Sequence, residues 1–385
     1  MVELLSGNYA IAEAVRLSKV DFIAAYPITP QTPIYEKIAE MVSQGSLKGE
    51  MMRAESEHSA MAACISASLT GVRVFTASSS QGIAFMHEML HFASGNRVPI
   101  VMACVNRVVS APWAFGSDQT DTLSQRDTGW LQLYCENGQE ALDTVIMAYR
   151  VAESIFLPIM VIIDGFYTSH FIEPVDVPRE IDVDSYLPSK NLPNRFDLKN
   201  PAFLQNVVDS YYFSEFKKRQ FEDTQKAKDL IIEADREFGR VFGRSYGIVE
   251  PFELEDGEVG IVTSGSITSC ARIAVEALRE KGIKAGLLKI KLFRPFPYEE
   301  VIRYLRNVKK VIVIDRNVSC GKGGIFCDEL KAAMYNLEER PKVYGFIGGL
   351  CGEDLPPETI EKITLYVLNQ EKPPDVPIWI HGMTF

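Results

Sequence analysis

Short apolar runs alternate with helically spaced apolar positions through roughly the first 165 residues. The runs at 20–26, 72–77, 98–105 and 159–163 predict strands, and the spacing over 34–42, 83–93 and 141–156 predicts helices. Strands that are apolar at every position, rather than at alternate ones, belong to a parallel sheet covered on both faces. The expected fold class is therefore α/β, built on a parallel-sheet domain. Past residue 172 the pattern breaks. Pro174, Pro178, Pro188, Pro193 and Pro201 punctuate a loop-rich stretch, and a charged segment follows over 211–244. There Phe213, Phe216, Leu230, Ile231, Ala234, Phe238 and Val241 fall on one side of a long helix, expected to pack on its own domain or a neighbour. The α/β alternation resumes at 258, with strands at 259–263, 285–291, 311–315 and, as the last, 343–347. A helix is predicted over 269–281 and another opening at 321–324. The chain thus divides into an α/β domain (1–171), a connection with a long charged helix (172–257) and a second α/β domain (258–385).

Composition narrows the function classes. Of 385 residues, 46% are hydrophobic, enough for a packed core in two or three domains. The longest apolar run, 155–163, is interrupted by Pro158, whereas a membrane helix needs about 20 apolar residues, so no span is expected. The first eight residues lack the basic region and apolar run of a signal peptide. Forty Lys and Arg against 51 Asp and Glu give a net charge of −11, which argues against a nucleic-acid binder and a polybasic membrane-surface protein. Seven widely spaced cysteines without a C-x-x-C fit a reducing, cytoplasmic location and exclude a ferredoxin-type cluster within this chain.

Candidate chemistry gathers at strand ends. Tyr26-Pro27-Ile28-Thr29-Pro30 closes the first predicted strand, with two prolines fixing the backbone around one hydroxyl. In open α/β sheets ligands bind beyond the carboxyl ends of the strands, so such a loop suits a small anionic group. Glu57 opens a helix of small residues, where an acidic residue serves either as a cap or as a functional carboxyl. Arg107 leaves the buried strand 98–105 and can clamp a carboxylate with paired hydrogen bonds. A hydroxyl, a carboxylate and a guanidinium thus converge. Two other motifs compete. His87-Glu88-Met89-Leu90-His91 matches the H-E-x-x-H of zinc hydrolases, although the metzincin continuation is absent. Gly321-Lys322-Gly323-Gly324 is either a phosphate cradle or a strand-to-helix turn.

Several longer runs resemble the alpha subunits of the 2-oxoacid:ferredoxin oxidoreductases, of which pyruvate:ferredoxin oxidoreductase is the best-known type. They are residues 24–33, 55–60, 76–82, 124–130, 293–297 and 315–317. The resemblance implies a thiamine-diphosphate pyrimidine-binding domain followed by a transketolase-C-terminal-like domain. It implies that Glu57 meets the aminopyrimidine, that Tyr26, Pro27 and Ile28 also line the cofactor, and that Thr29 and Arg107 hold the substrate carboxylate. The implied reaction is decarboxylation of a 2-oxoacid, with the acyl group passed to coenzyme A and electrons to ferredoxin. Pyruvate is the first-choice substrate, then branched-chain or aryl 2-oxoacids. The chain has no Gly-Asp-Gly for a diphosphate-bound metal. Mg²⁺ and the [4Fe-4S] clusters are therefore expected on partner subunits of beta, gamma and delta type, with the thiamine diphosphate site shared between chains and no metal site here. A zinc hydrolase using His87, Glu88 and His91, or a non-catalytic scaffold subunit, are the readings from other classes. The loop 112–116, with Trp113 and Phe115, is expected to shape the substrate pocket.

Overall fold

The computed structural model describes residues 1–109, 111–187, 196, 199, 201 and 207–383. The fully apolar runs align at the centre of a seven-stranded sheet. Its spatial order is Leu292–Arg294, Leu131–Tyr134, Ile159–Asp164, Val101–Asn106, Val74–Ser78, Phe22–Ala25 and Glu50–Arg53. Every pairing is parallel except that of the first two strands. Alternation sends successive side chains to opposite faces. Val101, Ala103 and Val105 enter one core, with the helices Gly7–Leu17, Thr32–Ser43 and Gly138–Ile155. Met102 and Cys104 enter the other, with Glu57–Ser68 and His87–Gly95. Both faces are covered, which is why these strands carry no polar alternation.

Several elements differ from their sequence-based expectation. The helix over 83–93 divides at buried Met86 into Ser80–Phe85 and His87–Gly95, so that both pieces stay against the sheet. The charged segment forms the helix Ser210–Phe242, capped by Asp209. Its buried apolar side chains, Ala227, Ile231, Ala234 and Phe238, all lie in its second half, while Asp223 in the first half pairs with Arg97 at 2.8 Å; Phe213, Phe216 and Val241 are exposed. Pro174 stands in the short strand Ile172–Asp176, which pairs antiparallel with Val2–Ser6 alone, an edge position where a missing N–H is tolerated. Pro188 and Pro193 lie outside the described residues.

The second sheet runs Ile378–Trp379, Lys342–Ile347, Lys310–Asp315, Val259–Thr263, Ala285–Ile290 and Val249–Phe252, parallel but for the last. Strand Lys342–Ile347 is therefore not the final one; the helix Pro357–Leu368 and the two-residue strand Ile378–Trp379 follow. No described helix is long and apolar enough to cross a membrane.

The two sheets are stitched together. Leu292–Arg294 leaves the second unit and pairs with Leu131–Tyr134, while Phe293 packs edge-on against Tyr134. Arg294 closes onto Glu329. Behind this strand lies a buried charge network. Lys289 Nζ sits 2.7 Å from Glu140 and 3.1 Å from Glu136, and Lys291 Nζ 3.0 Å from Glu140. Glu140 belongs to Gly138–Ile155 of the first unit, so the lysines of one unit neutralise a carboxylate of the other. Burial pushes the Glu140 carboxyl up, but Lys291 and Lys289 hold it down to about 2. Its contribution is complete above the ordinary value of 4.5 and drains as the pH falls toward about 2. Lys289→Met leaves Glu140 and Glu136 short of a counter-charge. It should destabilise the chain by about 3–5 kcal/mol in urea unfolding at pH 7; a change below about 1 kcal/mol would show the pair to be dispensable.

Candidate functional site

Three adjacent parallel strands end on the same side of the first sheet and release their loops together. Phe22–Ala25 leads to Tyr26-Pro27-Ile28-Thr29-Pro30, Val74–Ser78 to the helix Ser80–Phe85, and Val101–Asn106 to Arg107. Glu57 joins them from the start of Glu57–Ser68. Ser56 caps that helix, its Oγ accepting from Ser59 N at 3.2 Å.

Capping by Ser56 leaves Glu57 free for another role. A cap carboxylate belongs in water, yet Glu57 is buried. Burial raises its pKa, opposed by its own backbone N–H and by the Arg107 charge. The carboxyl therefore holds a proton more readily than an exposed glutamate. Against it lies Gly82. A Cβ on that residue would stand 2.5 Å from Glu57 Oε1 and 2.6 Å from Ser78 Oγ, so only glycine lets the carboxyl pack where it does.

Arg107 is buried to 3% exposure. Its Nη1 donates to the Thr29 carbonyl at 2.6 Å and its Nη2 to Gln81 Oε1 at 2.7 Å. The Phe115 ring lies over the guanidinium, 5.4 Å from Cζ. Nε, also buried, has no partner among the described residues. One cation thus ties three loops and keeps a donor in reserve. Of the sequence-derived candidates, Glu57, Arg107 and Thr29 come together. Thr29 meets Arg107 through its main-chain oxygen and not its hydroxyl, and its exposed side chain stands with exposed Tyr26 and half-buried Pro27 and Ile28 along the same loop. Sequence reasoning assigned no role to Gln81 and Gly82. The signal was available in the small-residue run Ser78-Ser79-Ser80-Gln81-Gly82 directly after a fully buried strand.

The loop after Arg107 is braced by the second unit. A Cβ on Gly116 would stand 1.7 Å from the Cys351 carbonyl oxygen, and Gly352 N donates to Ser117 O at 3.2 Å. Gln119 N donates to Arg316 O at 2.9 Å, and Arg316 Nη1 reaches buried Asp164 at 3.3 Å. Trp113 and Phe115 are both exposed, and Phe115 turns its ring to Arg107.

The competing motifs are engaged elsewhere. His87 Nδ1 lies 2.5 Å from Gln125 Oε1, His87 and His91 meet ring edge to face, and exposed Glu88 approaches His58 at 3.5 Å. Among the described residues no group of three or more His, Cys, Asp or Glu side chains is arranged to hold a metal ion. The Gly321-Lys322-Gly323-Gly324 turn precedes the helix Ile325–Met334, whose first N–H groups are already taken. Ile325 N donates to Asn317 Oδ1, and Phe326 N and Cys327 N donate to Asp315. A phosphate has nothing left to bind at that terminus.

The region around Glu57 fits a flat, hydrogen-bonding ring such as the aminopyrimidine of thiamine diphosphate. The carboxyl packs directly on Gly82, where there is no Cβ to displace it, it is partly desolvated, and the buried hydroxyls of Ser78 and Ser79 have no partner among the described residues.

Comparison with known proteins agrees with this geometry. Residues 13–236 match the family described as pyruvate flavodoxin/ferredoxin oxidoreductase, thiamine diphosphate-binding. Residues 257–360 match pyruvate:ferredoxin oxidoreductase core domain II. The chain is 46% identical to the pyruvate synthase subunit PorA of Methanothermobacter thermautotrophicus, over 97% of each chain. It is also 46% identical to the ketoisovalerate oxidoreductase subunit VorA of Pyrococcus abyssi, over 94% of this chain and 92% of that one. Its fold is similar to that of a 2-oxoglutarate:ferredoxin oxidoreductase from Magnetococcus marinus, solved with 2-oxoglutarate, coenzyme A and succinyl-CoA bound, with a TM-score of 0.74 at 21% identity. That match covers 95% of this chain and 65% of the other. With family matches over both α/β units and relatives 46% identical along nearly the whole chain, the chain belongs to the 2-oxoacid:ferredoxin oxidoreductase family, as its alpha-type subunit.

Proposed function

We propose that this chain supplies the pyrimidine-facing half of a thiamine diphosphate site in a multi-subunit, coenzyme A-acylating 2-oxoacid:ferredoxin oxidoreductase. The observation that carries the proposal is the buried Glu57 carboxyl, its pKa raised, held against Gly82 beside the Ser78 and Ser79 hydroxyls that have no partner among the described residues. Bound thiamine diphosphate would supply the electron sink for decarboxylation. Glu57 would hold a proton at the carboxyl oxygen that meets the ring, fixing the ring's tautomer and orientation. Arg107, already anchored at Nη1 and Nη2, would offer its remaining Nε donor and its charge to the substrate carboxylate. Phe115 would shield that ion pair from water. Tyr26, Pro27, Ile28 and Thr29 would form the adjoining wall.

Pyruvate is the substrate we favour, and the branched-chain 2-oxoacid named for the VorA relative is the second reading, supported by equal identity. The diphosphate and its Mg²⁺ would be held by a beta-type subunit, since this sequence has no Gly-Asp-Gly. The [4Fe-4S] clusters would lie on gamma- and delta-type chains that pass electrons to ferredoxin. All seven cysteines are free, and five of them are buried or half-buried, which agrees with a cytoplasmic location.

In the assembled complex, Glu57→Gln should lower kcat by ~10²–10⁴-fold without loss of subunits on gel filtration. Near-normal turnover would reduce Glu57 to a structural residue. Arg107→Lys keeps the charge but not the fork, and should cut kcat/KM for the oxoacid by at least about tenfold. Thr29→Val should cost less, because the main-chain oxygen that anchors Arg107 remains. Equal kcat/KM in both variants and the wild type, for pyruvate and 2-ketoisovalerate alike, would move carboxylate recognition to other residues.

A further inference from the structure

Asp121 lies beneath the site in the short helix Thr120–Leu123 and is 1% exposed. Its two oxygens are filled by four donors. Oδ2 accepts from the main-chain N–H of Ser80 at 2.8 Å and of Arg107 at 3.1 Å. Oδ1 accepts from Asn106 Nδ2 at 2.6 Å and from Thr122 N at 2.7 Å. The two donors on Oδ2 belong to separate strand ends, and each begins a segment that carries chemistry. Ser80 starts the helix that lays Gly82 against Glu57, and it stands at φ 51, a left-handed conformation unfavourable for a residue with a Cβ. The bond to Asp121 is what such a turn needs to persist. Arg107 is the guanidinium that links the Thr29 and Gln81 loops.

We propose that Asp121 is a positioning residue, a single buried carboxylate that fixes the Arg107 main chain and the turn at residues 80–82 relative to each other. The separation between the substrate clamp and the wall of the cofactor site is then set by one side chain rather than by two independent loops. The proposal rests on the roles given above to Arg107 and Glu57. An amide in place of the carboxylate is isosteric but not equivalent. Turned toward Ser80 and Arg107, an NH₂ group faces two main-chain N–H groups, and turned the other way it still faces the Thr122 N–H whichever way the Asn106 amide lies. Leaving buried donors unsatisfied is expensive, and here the loss is shared between both arms of the site.

The test is steady-state kinetics of Asp121→Asn in the assembled complex, with Arg107→Lys beside it. For Asp121→Asn we expect at least about a tenfold rise both in KM for the oxoacid and in the half-saturating concentration of thiamine diphosphate. KM for coenzyme A should stay within about twofold, since a loosening confined to this site leaves coenzyme A binding alone. Arg107→Lys should raise only the oxoacid KM. Asp121→Asn with both oxoacid and cofactor constants unchanged, or with the coenzyme A constant raised equally, overturns the positioning role. A neutral Arg107→Lys removes the carboxylate reading instead, and Asp121 is then judged on the cofactor constant alone. Should Asp121→Asn fail to assemble, Asn106→Ala reads the same linkage. It removes one donor to Asp121, an amide that also donates to Thr122 Oγ1, together with a buried carbonyl that has no partner among the described residues, and should raise the oxoacid KM several-fold; an unchanged value there also overturns the proposal.

Discussion

Parallel alignment of three neighbouring strands is the constraint on which the rest of the molecule depends. Phe22–Ala25, Val74–Ser78 and Val101–Asn106 run side by side in one direction, so their carboxyl ends open on one edge. Parallel strands require covered faces, and covered faces require strands that are apolar throughout. The polar residues that follow each strand are then the first that can meet a ligand. Thr29, Gln81 and Arg107 are joined by one guanidinium because the sheet delivers them within reach of it. Glu57 comes from the helix that lies over these strands, which explains how a residue at a helix start is nonetheless buried.

The second unit contributes rigidity to that edge. It lends the strand Leu292–Arg294 to the first sheet, buries Lys289 and Lys291 against Glu140, and presses the turn at Cys351 onto Gly116. The loop carrying Phe115 is thereby pinned at both ends, at Arg107 on one side and at Ser117 on the other. Asp315, Arg316 and Asn317 share this work. Asp315 and Asn317 cap Ile325–Met334 from within, and Arg316 crosses to Asp164. A side chain that caps a helix and a neighbour that bridges two units give a short polar run a structural reason to exist.

Much of the fold could be read from the chain because burial on both sides leaves an unbroken apolar signature. Val101–Asn106 and Ile159–Asp164 appear within three residues of their predicted bounds for that reason. The helix Gly7–Leu17 escaped notice because it opens with Gly7 and Asn8, and Glu50–Arg53 because its edge position leaves it half polar. Leu292–Arg294 could not be assigned to the first sheet, since its partner lies some 160 residues earlier and pairing across such a distance leaves no local pattern. That Glu57, Thr29 and Arg107 gather at one edge of the sheet was legible from their places after strands or at a helix start. What the sequence hid were contacts. It did not reveal that Gly82 faces Glu57, that Arg107 reaches the Thr29 main chain, or that Asp121 gathers four donors.

The account turns on a divided cofactor site, with a carboxyl and a clamp on this chain and the diphosphate held elsewhere. Binding of thiamine diphosphate, followed by calorimetry with Mg²⁺, tests this most directly when the isolated chain is compared with the assembled complex. The account predicts weak, Mg²⁺-independent binding to the chain alone and tight, Mg²⁺-dependent binding to the complex. Tight, Mg²⁺-dependent binding to the isolated chain would contradict it.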